Sequence, residues 1–159
     1  MTLPVKLVGC ALVLLSGGGY AISASRYEKK KLSVLDGWMD LIFFIRSQID
    51  CYLTPLSEIL KNADQALLRA CMGNSNDEDL PSLLQASSSY LGEEANRLLD
   101  SFVRELGGNY REEQVKRCDY YLAALRDIRE KKREELPARL RVCTAISLCA
   151  SFGIAILLW

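Results

Sequence analysis

The chain has 159 residues, with 20 basic and 20 acidic side chains, 50% hydrophobic residues and no histidine. That length suits one domain of ordinary size rather than two with separate cores. The balanced charge shows no basic stripe with interleaved aromatics, which argues against nucleic-acid binding. The missing histidine removes the usual zinc ligand sets and the commonest general base.

A mean hydropathy close to zero conceals a strong segregation. Residues 7–24 and 142–159 are uncharged, while every acidic residue lies between Glu28 and Glu135. Each uncharged stretch would span about 27 Å as a helix, close to the ~30 Å hydrocarbon core of a bilayer. The expectation is therefore a transmembrane helix at 5–24, a helical domain at 26–141 with about one net negative charge, and a second transmembrane helix at 142–159.

At the first end, Lys6 can snorkel to the headgroups. Gly17-Gly18-Gly19 offers a small surface of the kind that permits close helix contact in membranes, or a tolerated flexible point. A cleavable signal would use Leu7 to Leu15 and Ala21-Ile22-Ser23, but Lys29-Lys30-Lys31 just beyond it resists export. Leu7-Val8-Gly9-Cys10 resembles a lipoprotein box, yet the apolar run before Cys10 is short and interrupted by Pro4 and Lys6. Arg26, Lys29, Lys30 and Lys31 flank the inner side of this segment, and Arg139 and Arg141 flank the other. Because cytoplasmic flanks carry the excess of Lys and Arg, the middle domain is expected in the cytoplasm with both termini outside.

In the middle segment the first helix is expected over Leu32 to Cys51. Val34, Leu35, Trp38, Met39, Leu41, Ile42, Ile45 and Ile49 recur at three and four residues, and Phe43 and Phe44 widen that face. Such a helix should be central, or packed on both sides. Thr54 can cap a second helix with Pro55 at its first position, and Ile59, Leu60, Leu67 and Leu68 then share one side up to Cys71. Residues 73–77 form a polar turn-rich loop. A short helix from Pro81 to about Ser88 follows, with Asp79 as a possible cap, and then one over Glu93 to Leu106. Gly107-Gly108 stops that helix, and Asn109 caps the next with Glu112 in the capping-box position. The last helix carries a seam of Val115, Cys118, Leu122, Leu125 and Ile128. Past Ile128 it is charged on all sides. Arg129, Lys131, Lys132 and Arg133 read first as a solvated face, with a membrane-proximal contact as the functional alternative. Pro137 marks the joint with the second membrane segment.

Six cysteines form no C-x-x-C pair and read as small buried hydrophobes of a reducing compartment. No phosphate-binding loop is present, and Glu93-Glu94, Glu112-Glu113 and Glu134-Glu135 lie on charged helix faces. The expectation is a non-enzymatic protein with no cofactor, metal or small-molecule substrate.

The arrangement of two apolar ends around a helical middle resembles the stage III sporulation protein AB family of endospore-forming bacteria. Local matches are Gln48-Ile49, Thr54-Pro55-Leu56, Phe102, Leu106-Gly107 and Gln114. The chain departs from the family's usual residues at Gln48, Cys51, Val103 and Tyr110. The family is similar in its soluble part to the cytoplasmic domain of the inner-membrane platform protein of type II secretion and type IV pilus machines. The resemblance implies a platform or scaffold subunit in the mother-cell membrane, linking a cytoplasmic ATPase of the same operon to a channel-like complex. A general membrane-tethered helical adaptor is the alternative. Thr54, Pro55, Gly107, Gly108 and Asn109 are expected to act through the fold, setting a helix start and a sharp corner.

Overall fold

The computed structural model describes the backbone of residues 3–52, 56–72, 79–107 and 110–158. Within these it leaves undescribed the side chains at 3–18, 20, 21, 52, 56, 57, 139, 143, 147, 148, 151, 152 and 154–158. The elements in chain order are α1 (Leu3–Ser47), a π-helical turn (Gln48–Tyr52), α2 (Leu56–Ile59), α3 (Gln65–Ala70), α4 (Leu80–Leu91), α5 (Glu93–Glu105) and α6 (Arg111–Leu158). The protein is all-α, and no strand occurs among the described residues. Two compact units are distinguished: Met1–Lys29 with Arg133–Trp159, and Lys30–Lys132.

The unit Lys30–Lys132 holds the core. On α1, Val34, Leu35, Trp38, Leu41, Ile42 and Ile45 are fully buried, so the three-and-four spacing translates directly into the packed face. Phe43 does not join it and is 62% exposed. At about 100° per residue it points roughly 140° away from the line through Trp38, outside even a wide buried arc. Trp38 meets α4 through Ser87, and Gly37 meets the end of α3. α1 is thus contacted from several directions, as its broad apolar face requires.

The single helix expected from Pro55 to Cys71 is two. A turn separates α2 from α3, with Asn62 N–H bonded to the Glu58 carbonyl at 3.1 Å and Ala63 N–H to the Leu60 carbonyl at 3.2 Å. The Asp64 side chain then accepts from Ala66 N–H at 3.0 Å and caps α3. Asn and Asp offer the backbone a local alternative to the helix, and here the alternative prevails. Met72 follows with φ 67°, a left-handed exit.

α4 runs one turn beyond the expected Ser88, to Leu91, with Pro81 in its first turn. Ser87 donates to the carbonyls of Leu83 and Leu84 at 3.0 and 3.1 Å, and Ser88 to Gln85 at 2.8 Å, so the serines bond within the helix instead of ending it. Asp79 occupies the cap position with extended backbone but makes no side-chain cap bond. Gly92, at φ 81°, turns the chain directly into α5, which buries Ala95, Leu99 and Phe102. Gly107 exits α5 at φ 99°, a left-handed conformation that suits the residue without Cβ. In α6, the Tyr110 carbonyl accepts from Glu113 and Gln114 N–H, each at 3.0 Å. Residue 110 therefore stands where the cap was expected at Asn109, which with Gly108 lies outside the described residues.

The other unit consists of the outer parts of α1 and α6. Helix α6 continues through Pro137, which marks no break; its fixed φ near −65° is helical, although it forgoes one backbone bond and crowds the carbonyl four residues earlier. Among the described residues no helix is long and apolar enough to cross a membrane. The segments expected to do so, 5–24 and 142–159, fall largely on positions whose side chains are undescribed.

Candidate interaction surface

Ion pairs set the register of α1 against α6. Asp36 pairs with Arg129, Arg46 with Asp119 (2.6 and 3.2 Å), and Asp50 with Arg111 (2.9 Å). Numbers rise on α1 while they fall on α6, so within this unit the two helices run antiparallel. Pairs as exposed as these contribute only about 0.2–1 kcal/mol each and specify alignment more than strength. The hydrogen bond to Asp119 pushes the Arg46 guanidinium above its usual value, and that to Asp36 does the same for Arg129. Arg111 also donates to the Asp50 carbonyl inside the π-helical turn, satisfying an acceptor that the altered ladder leaves at the end of α1.

α5 meets α6 through an aromatic contact. The Phe102 ring packs edge-on against Tyr121 with centroids 5.3 Å apart, and Tyr120 lies 5.3 Å from Tyr121. Burial, followed by a hydrogen bond with Glu105, pushes the Tyr121 hydroxyl up to about 12. Arg117 bridges the two helices, reaching Glu105 at 3.0 Å and Glu113 at 3.1 Å. Outside this contact a shallow groove follows the α5–α6 line as two open cavities of about 440 and 610 Å³ that share Leu98 and Ser101. Its floor is Leu98, Tyr121, Ala124 and Ile128. Its rim mixes charges, including Glu94, Lys116, Asp127 and Lys131, and Tyr120 stands beside it, 65% exposed. An apolar floor with a mixed polar rim is the composition of a protein-contact surface.

The residues singled out from the sequence fall in different places. Thr54, Pro55, Gly108 and Asn109 lie outside the described residues, and Gly107 makes the turn after α5. The basic run after Ile128 divides. Arg129 is engaged by Asp36, and Lys132 donates to the Leu91 carbonyl at the corner between α4 and α5. Lys131 lines the groove, and Arg133 is exposed. Cys71 and Cys118 are buried as expected, whereas Cys51 and Cys149 are exposed; the side chains of Cys10 and Cys143 are undescribed. Among the described residues no cluster of three Cys, Asp or Glu could hold a metal ion. The contributions of Glu105, Arg117 and Tyr121 were not singled out from the sequence. Tyr121 lies three residues after Cys118 and four before Leu125, a spacing that would have placed it on the buried seam.

Both walls of the groove lie in a stretch that carries a family signature: the family described as stage III sporulation protein AB matches residues 78–159, just over half of the chain. The chain belongs to that family. No curated protein and no solved structure matches it. The stage III sporulation family match covers α4, α5 and α6 together. It therefore includes the Gly92 corner, the aromatic contact and the groove.

Proposed function

We propose that this member of the stage III sporulation protein AB family is a non-enzymatic platform subunit. It is fixed to the mother-cell membrane by the helices at 5–24 and 142–159, with the unit Lys30–Lys132 on the cytoplasmic side. The reading rests chiefly on the family match over residues 78–159. Two features support it: the uncharged ends with basic inner flanks, and a helical domain whose recessed surface is a shallow groove. On this reading the groove, whose walls both lie in the matched stretch, receives the cytoplasmic ATPase of the same sporulation complex. The helical unit then passes a contact or a motion from the motor to the membrane assembly.

The test is a binding titration between the full chain, held in lipid nanodiscs, and that ATPase. Saturable binding is expected, weakened by about tenfold or more in L98R and A124E, since a charge introduced into a desolvated contact costs at least ~1.4 kcal/mol. A chain that ignores the ATPase at concentrations where a positive control binds would overturn the platform reading.

A further inference from the structure

The basic run after Ile128 is the obvious place to look for lipid contacts, yet Arg129 and Lys132 are already engaged by Asp36 and Leu91. Of that run Arg133 belongs to the other unit, whose remaining cations lie outside the run. The unit Met1–Lys29 with Arg133–Trp159 carries six basic and three acidic residues, a net +3, and the unit Lys30–Lys132 carries 14 and 17, a net −3. The near-zero total therefore hides a separation of charge between the two units. Within the first unit, Arg26, Lys29, Arg133 and Arg141 are exposed and make no ion pair among the described residues. Of its three carboxylates, Glu28 and Glu135 engage other groups of the chain.

The neighbours of these cations show what they face. On α1, Ile22, Arg26 and Lys29 follow at four and three residues and so share one stripe; Ile22 is 58% exposed. On α6, Val142 and Ile146 are 58% and 65% exposed, immediately beyond Arg141. Both helices thus present exposed apolar side chains on the terminal side and exposed cations on the inner side. Ile22 to Lys29 covers about 10 Å of helix, the depth over which acyl chains give way to headgroups.

We infer that this band, formed by Arg26 and Lys29 on α1 and by Arg133 and Arg141 on α6, selects anionic phospholipid headgroups over zwitterionic ones. The inference rests on the membrane reading above. Its chemistry is that of cations held at headgroup level, attractive to lipid phosphates that carry net charge and weakened by salt.

The experiment uses the full chain in phosphatidylcholine vesicles with spin-labelled phosphatidylglycerol or phosphatidylcholine as probe. The motion-restricted lipid fraction is read by electron paramagnetic resonance. At low salt the chain is expected to prefer phosphatidylglycerol by about threefold or more, and near 1 M salt the preference disappears as the screening length falls to about 3 Å. In R26Q/K29Q/R141Q the preference is lost, while K61Q/R69Q/R126Q, which removes as many exposed cations from the other unit, keeps it. A restricted fraction with no preference in the wild type, or an unchanged preference in R26Q/K29Q/R141Q, overturns the inference and leaves the membrane reading standing. No restricted lipid with either probe removes the membrane reading, and the inference falls with it.

Discussion

At the scale of single residues, the cysteines separate by burial. Burial pushes the Cys71 thiol up to about 12, helped by the nearby Asp40 carboxylate, and the Cys118 thiol up to about 11, where Asp119 adds to the same effect. Both shifts disfavour the thiolate. At pH 8 each holds at least about a hundredfold less thiolate than an unperturbed thiol, and neither side chain is open to reagent. A water-soluble maleimide is therefore expected to modify Cys51 and spare Cys71 and Cys118, as peptide mass spectrometry would read. The same shifts set the sign of the alkaline stability. Above the ordinary thiol value of 9.0 the unfolded chain releases protons that the folded chain retains. Stability is then full below pH 9.0 and falls as pH rises through 11 to 12. A denaturation midpoint that stays level between pH 9 and 11 would contradict it.

At the scale of elements, α1 and the end of α3 approach closely at Gly37. A Cβ on Gly37 would stand 2.7 Å from the Ala70 carbonyl carbon and 2.8 Å from its oxygen. In an open helix Gly→Ala stabilises by about 1 kcal/mol. Here the obstacle is backbone, which cannot rotate aside, so G37A is expected to destabilise by about 1–3 kcal/mol as overpacking does. Urea titration measures it, and a stabilised G37A would mean that α3 does not sit against α1. Nothing in the sequence announced that contact, since Gly37 there is only a gap between Asp36 and Trp38. The core face of α1 was legible because eight positions from Val34 to Ile49 repeat at helical spacing, and all are buried except Met39, which is half-buried. The break at Leu60–Asp64 was not, because Leu60, Leu67 and Leu68 keep helical phase across it while the Asp64 side chain starts α3 locally. α4 differed the other way: it runs past the expected end at Ser88 to Leu91, and the Ser87 and Ser88 hydroxyls bond back into the helix.

At the scale of the whole molecule, the family and the all-α class were readable from one sequence, whereas the groove was not, nor that the helices expected at 5–24 and Leu32–Cys51 form one helix, Leu3–Ser47. A groove depends on how α5 and α6 meet, and that is set by Phe102 on Tyr121 and by Arg117 between Glu105 and Glu113, contacts that spacing alone does not pair. The arrangement across a membrane is carried by charge. On the proposed reading, basic flanks on the inner side of both uncharged ends would put the unit Lys30–Lys132 in the cytoplasm. Cys51 is exposed in that unit and serves as its natural reporter. Two variants are compared in intact cells with a membrane-impermeant maleimide: one keeping Cys51 alone, the other carrying only a cysteine appended after Trp159. Protection of Cys51 until the membrane is opened, with immediate labelling of the appended residue, is the expected result. It leaves the groove on the side where a cytoplasmic motor can reach it. Immediate labelling of Cys51 would put the groove on the opposite face of the bilayer. No rearrangement of α5 and α6 could then bring Leu98 and Ala124 to a cytoplasmic ATPase, and the proposed contact would have to be abandoned.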